Sequence, residues 1–411
     1  MKKWLKWLLL GLTPLLALAY VSACIWLNLN VARLIFPRNA PFILPSASLA
    51  LNQERVEFGE ANGTKFVGWI IPCLPQDHSD QWLLYFHGNG SNVSSSADIY
   101  DDFRSLGFNI IAPEYPGYSD APGAPSETLI ELESEVAFDY LLEVRRVSPN
   151  KVGIFGGSLG AAFAIDLATR RRPGALVDSS GFTSIIAAAP KYYHLFPLGL
   201  LIKDKFDSDK KIGKVNSPVL VMHSTEDTFI PFSHAQTLYT LAPSPKRLVK
   251  LRGQHGLNQP SAIVNPDFYQ QIVSFLNSEA GFNLRQPTPS IAPVVARVLE
   301  SQGIDAAIRE YHSLARQNPR RYNFREAELD SLGQDLLEKH KANDAIEILK
   351  LNTEQFPDSF TAFDSLADAY AAAGKNNEAI QNYQRSLALF PAKDNYSRTK
   401  LERLQHQLKG D

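Results

Sequence analysis

An apolar stretch from Trp7 to Leu27 follows Lys2, Lys3 and Lys6, broken only by Thr13, Pro14 and Ser22. Its length predicts a membrane-crossing helix better than the roughly 7–15-residue apolar region of a signal peptide. Beyond it the chain changes to short apolar runs separated by amphipathic ones. Strands are predicted at 55–58, 65–71, 82–86, 109–113, 151–155, 175–178, 219–223 and 247–251, the first two joined by Asn62-Gly63, a hairpin turn pair. Helices are predicted at 97–105, 127–145, 159–171, 234–241 and 268–276. Apolar strands alternating with amphipathic helices imply an α/β fold, a doubly wound, mostly parallel sheet covered on both faces. The hairpin forms an antiparallel edge.

Pro287, Pro289 and Pro293 mark a linker, and everything beyond reads as helix. Ala345-Ile346 recurs at Ala379-Ile380, and Pro357 at Pro391, each 34 positions on. At the same shift Leu332-Gly333 maps to Leu366-Ala367, Leu336 to Tyr370 and Leu349 to Tyr383. Ala307-Ile308, Tyr311 and Pro319 form a looser copy. The spacing resembles the tetratricopeptide repeat, with 395–407 as a capping helix. A plain helical buttress is the alternative. The expected domains are therefore 1–30, a membrane anchor or signal; 31–50, a connector along the membrane or domain surface; 51–280, the α/β domain; 281–293, the linker; and 294–411, an all-α tetratricopeptide-like repeat domain. A length of 411 residues suits two domains.

Composition narrows the function classes. With 41 basic and 43 acidic residues, the formal charge of −2 leaves no electrostatic footprint for nucleic acid. Two cysteines, Cys24 and Cys73, supply neither a disulfide framework nor a zinc cluster. Val21-Ser22-Ala23-Cys24 also resembles a bacterial lipobox. The N-terminus thus has three readings: an uncleaved anchor, a lipoprotein signal with Cys24 lipidated, or a cleaved signal. Ile25, Trp26 and Leu27 continue the apolar run past the cysteine and favour the anchor. The leading lysines place the rest of the chain on the non-cytoplasmic side, against which Arg33 and Arg38 weigh.

The candidate chemistry lies at the carboxyl ends of the predicted strands. Val152-Gly153-Ile154-Phe155 leads into Gly156-Gly157-Ser158-Leu159-Gly160 and an Ala-rich helix. A serine at such a strand–turn–helix junction has its hydroxyl pushed clear of the backbone, and glycines let the two elements approach. The pentapeptide alone is weak, since roughly one chain in ten of this length carries it by chance. A nucleophile also needs a base, an orienting acid and oxyanion donors. His87-Gly88-Asn89-Gly90 follows one apolar strand, offering the Asn89 N–H as an oxyanion donor beside the Leu159 N–H. Another strand ends in Ser224-Thr225-Glu226-Asp227, with Asp227 the expected orienting acid and Glu226 its near neighbour. His255, on the glycine-flanked loop Arg252-Gly253-Gln254-His255-Gly256, is the expected base. His223 is expected to point into the sheet and His234 to be exposed.

The chain order Ser158, Asp227, His255 is that of α/β-hydrolases. Residues 50 to 278 resemble that superfamily, and more narrowly its small membrane-anchored serine hydrolases, which include protein depalmitoylases and lysophospholipid lipases. The resemblance rests on His87-Gly88-Asn89-Gly90, Tyr115-Pro116-Gly117-Tyr118-Ser119, Gly156 to Gly160, Asp178 to Ser184, His223 to Asp227, and His255. Ser224 stands where that family commonly has glycine, and Gln254-His255-Gly256 replaces its usual glycine-rich loop. The helical tail lies outside the resemblance.

These readings imply a membrane-associated serine hydrolase cleaving small acyl esters, thioesters or lipids, with a protein or peptide partner for 294–411. A peptidase of the same fold is one alternative; a membrane-tethered scaffold with a vestigial hydrolase is another. Without Gly-x-Gly-x-x-Gly at the strand–helix turn there is no dinucleotide site, and neither cofactor nor metal is expected. The segment between 178 and 219 is too short for a full cap domain, which implies an open site. Its Pro190, Tyr192, Tyr193, Phe196 and 198–201 would pack on the core or meet an acyl chain or membrane.

Overall fold

A computed structural model describes residues 3–38, 51–255, 261, 263–319, 321–391 and 396–409. Helix α1 (Lys3–Ile35) runs 33 residues, through Pro14 and past the expected boundary at 30. Leu27, Val31 and Ile35, four residues apart, form one stripe that packs into the α/β core with Phe36. The rest of the expected connector, 39–50, lies outside the described residues.

The α/β domain then builds β1 (Glu54–Ala61), β2 (Thr64–Ile71), β3 (Trp82–Phe86), α2 (Ala97–Ser105), β4 (Asn109–Glu114), α3 (Glu127–Glu143), β5 (Val152–Gly157), α4 (Leu159–Arg170) and β6 (Ala175–Ser179). Single helical turns follow at α5 (Ile185–Ala188), α6 (Leu198–Leu201) and α7 (Ser208–Lys211), then β7 (Val219–Ser224), α8 (Ser233–Leu241), β8 (Lys246–Leu251) and α9 (Phe268–Glu279). The eight strands pair in the order β1-β2-β4-β3-β5-β6-β7-β8. β1 and β2 are antiparallel, as are β2 and β4, and the remaining pairs are parallel. The expected hairpin turn is present, with Asn62 at φ 51° and Gly63 at φ 73°, the left-handed pair that a two-residue loop between twisted strands needs.

Both sheet faces are buried, which is why the strands read as continuous apolar runs rather than alternating ones. Leu84, Phe86, Val152 and Ile154 pack under α3, α4 and α8, with Phe138, Phe163 and Leu238. Leu83, Tyr85 and Phe155 face α2 and α9, with Tyr100, Phe103, Ile272 and Phe275.

The run from 281 to 291 contains neither helix nor strand, yet Phe282 and Leu284 are buried in the second core layer. Helices α10 (Ala292–Gln302), α11 (Ile304–Ala315), α12 (Glu326–Glu338), α13 (Ala342–Gln355), α14 (Phe360–Ala372), α15 (Asn376–Leu389) and α16 (Tyr396–Lys409) follow as an all-helical region. Its core includes Leu332, Leu336, Ala345, Ile346 and Leu349. Gly333 is small because a Cβ there would come 2.5 Å from Leu349 Cγ on the next helix. The Arg325 guanidinium contacts the carboxylates of Asp101 and Asp102 on α2 and ties this region to the α/β domain.

Candidate active site

Ser158 occupies the one-residue turn between β5 and α4, at φ 52° and ψ −114°. A side chain held at positive φ is strained, and the neighbouring contacts show what imposes it. A Cβ on Gly156 would lie 2.4 Å from Gly160 O, and one on Gly160 would lie 2.3 Å from Phe86 O. Only glycine at both positions allows strand and helix to close this far, leaving the serine to take the strain.

The hydroxyl of Ser158 lies 2.9 Å from His255 Nε2. On the other side of the ring, His255 Nδ1 is 2.6 Å from Asp227 Oδ2. A carboxylate can only accept, so Nδ1 carries the proton and Nε2 is left to accept from the serine. The Asp227 side chain is fully buried, whereas that of His255 is 15% exposed. The backbone N–H groups of Phe229 and Ile230 donate to Asp227 Oδ1 at 2.9 and 2.8 Å. Burial alone would raise the Asp227 pKa, but hydrogen bonds from His223, His255 and the Ile230 N–H outweigh it and hold the carboxyl well below the usual range.

Two residues set aside at the level of sequence contribute here. His223 is buried at the end of β7, and its Nε2 donates to Ile230 O at 2.8 Å and stands 3.4 Å from Asp227 Oδ2. Burial lowers its pKa, but Asp227 and the Ile230 carbonyl more than compensate, and the net shift is upward. The expectation of an exposed His234 is corrected: it is 8% exposed, and its Nδ1 meets Thr183 Oγ1 at 2.9 Å and accepts from Thr183 N at 3.2 Å. Its place on the inner face of α8 buries it, and burial lowers its pKa.

Glu226 does not reach the imidazole. Its Oε2 accepts from Gly253 N at 2.8 Å and so anchors the loop that carries His255. Ser224, the departure from the family pattern, donates to Gly253 O at 2.5 Å and accepts from Glu226 N at 3.0 Å. The departure itself was the available signal, because a hydroxyl where glycine is usual needs a partner.

Asn89 follows β3 and Leu159 opens α4. A Cβ on Gly88 would stand 3.6 Å from Ser158 Cβ, so the chain just before Asn89 passes close to the serine. The first amides of a helix have no partner within it, which leaves the Leu159 N–H available at the same place. Tyr115 and Tyr118 brace the turn from below, donating to His87 O at 2.7 Å and Asn89 O at 3.1 Å. His87, 1% exposed, packs at a tilt against Tyr115 with ring centres 4.0 Å apart, and its Nε2 lies 3.2 Å from Glu114 Oε1. Asp178, at the end of the neighbouring strand, accepts from Gly181 N at 2.9 Å, and burial pushes its pKa up to about 6 against the pull of His223 and that N–H.

Around this arrangement the sequence has relatives. No family model matches the chain. It is similar to an uncharacterized protein of Mycobacterium tuberculosis, 33% identical over 246 residues that cover 60% of this chain and 86% of that protein. Protein bem46 of Schizosaccharomyces pombe is 28% identical over 253 residues, covering 59% of this chain and 82% of bem46. Human alpha/beta hydrolase domain-containing protein 17C is 30% identical over 213 residues, covering 51% of this chain and 61% of its own length.

Proposed function

Because this chain belongs to the α/β-hydrolase superfamily, we propose that it is a membrane-associated serine hydrolase that cleaves acyl esters or thioesters through an acyl-enzyme. The observation that carries this reading is the relay in which Ser158 Oγ stands 2.9 Å from His255 Nε2, and His255 Nδ1 stands 2.6 Å from Asp227.

In this reading Ser158 attacks the acyl carbonyl while His255 takes its proton. The buried Asp227 carboxylate fixes the imidazole tautomer and stabilises the imidazolium that forms. The Asn89 and Leu159 amides receive the oxyanion. Each such donor is worth on the order of 10²–10³ in rate in known cases. His255 then protonates the departing alcohol or thiol, and a water activated by the same ring releases the acid. The Asp227 pKa, held far below neutrality, keeps that carboxylate ionised throughout.

Membrane association rests on α1, whose segment Leu12–Ile35 is long and apolar enough to cross a bilayer. The helical region supports a protein- or peptide-binding role, resting on the 34-residue recurrence and the paired helices α12/α13 and α14/α15. Ser158→Ala tests the chemistry: fluorophosphonate labelling and short-chain ester hydrolysis should both vanish in a folded protein. Retained turnover would rule the mechanism out.

A further inference from the structure

The segment between β6 and β7 leaves the same sheet edge as Ser158, and part of it packs against α1. Tyr20 on α1 donates its hydroxyl to Leu195 O at 2.9 Å, and its ring stacks on Phe196 with centroids 5.7 Å apart. Eight positions on, Asn28 donates to Leu201 O at 3.0 Å. These contacts, together with the buried Leu27, Val31 and Ile35 stripe, fix the height of this segment along the helix.

That height decides what surrounds it. Trp7 begins the apolar run, and Tyr20 is 13 positions further on. At 1.5 Å per residue these cover about 20 Å, short of the roughly 30 Å of a hydrocarbon core. A helix that crosses the bilayer must therefore stay inside it beyond Tyr20, to about Leu27. Whatever is bonded to Tyr20 is then carried below the membrane surface, and whatever is bonded to Asn28 lies at its boundary.

The residues held there suit that position. Leu195 is 75% exposed and Leu200 is 86% exposed, beside the exposed Val21, Ile25 and Trp26 of the helix. Arg33 on α1 and Lys203 just after α6 are exposed at the headgroup end. We infer that residues 195–200 are a second membrane contact, a wedge that dips into the acyl region beside α1. The inference rests on the proposal that α1 spans the membrane. It adds that the α/β domain lies partly sunk in the bilayer rather than swinging on a tether.

The test places the environment-sensitive dye NBD on single cysteines in full-length protein lacking Cys24 and Cys73 (both to Ser), reconstituted in phosphatidylcholine vesicles. The labelled variants are Leu195→Cys, Leu200→Cys, Val21→Cys on α1, and Val144→Cys on the exposed turn that ends α3. The expected result is blue-shifted emission at 195, 200 and 21. Nitroxide on the lipid acyl chain should quench 195 more strongly than 200, and 144 should stay water-like. Water-like emission at 195 and 200 with a quenched 21 would overturn the wedge and leave the anchor standing. Water-like emission at 21 as well would remove both. A blue shift at 195 and 200 without lipid quenching would mean that a second protein copy covers them, and would also overturn the inference.

Discussion

At the scale of single residues, each polar atom around Ser158 in the candidate site has one permitted role. Asp227 divides its oxygens: Oδ1 is occupied by two backbone N–H groups, and Oδ2 is left for His255 with His223 behind it. That division fixes the imidazole tautomer without the acid ever taking the proton. Asp227→Asn keeps the shape but can offer an N–H where a carboxylate must accept, favouring the wrong tautomer. It should lower kcat by roughly 10³–10⁴ with little change in KM on a short-chain ester, as measured by steady-state kinetics. A loss below tenfold would mean that Asp227 is not what orients His255 during turnover.

At the scale of elements, the decisive feature is how closely β5 and α4 approach. Gly160 packs its α-carbon against the end of β3, where an added methyl would sit 2.3 Å from Phe86 O and 2.7 Å from His87 O. Those atoms are backbone, and His87 O already accepts from Tyr115, so they cannot simply move aside. Gly160→Ala should therefore cost about 1–3 kcal/mol or more in stability, read as a lower Tm. It should also depress kcat, because the displaced strand end carries the Asn89 turn. A variant with unchanged Tm would show that the helix can shift without penalty. The same reasoning explains why the sharp turn was legible before the structure: strand, glycine, serine, glycine and helix are all local signals. The bracing by Tyr115 and Tyr118 was not, because it depends on β4 lying next to β3.

At the scale of the whole molecule, the two regions meet through charge. Arg325, just before α12, bridges to Asp101 and Asp102, while Glu328 in the first turn of α12, 7% exposed, accepts from Ser290 and Asn323. Burial pushes the Glu328 pKa up to about 7, opposed by the Ser290 hydroxyl and Arg325. A carboxyl with a raised folded-state pKa binds its proton more tightly when folded. Its stabilising contribution is thus complete below about pH 4 and is lost as pH rises through about 7. The helical region should accordingly unfold more readily at pH 8 than at pH 5.5, by at most about 2 kcal/mol in ΔG. Glu328→Gln should flatten that dependence in thermal melts followed by circular dichroism. An unchanged slope would assign the effect to other groups.

Across these scales, sequence and tertiary structure settled different things. Local pattern determined the elements themselves: apolar runs buried on both faces, the Asn62-Gly63 turn, and the Gly156 to Gly160 junction. It also picked out Ser158, Asp227 and His255 as candidates, since each follows a strand whose end it inherits. Strand order was beyond its reach, because β4 sits between β2 and β3 through pairings that no stretch of sequence encodes locally. So were the buried His234, the supporting His223, and the docking of α1 and residues 195–201 against each other. Each depends on which faces meet once the chain has closed, and meeting is a property of packed surfaces rather than of neighbours in sequence.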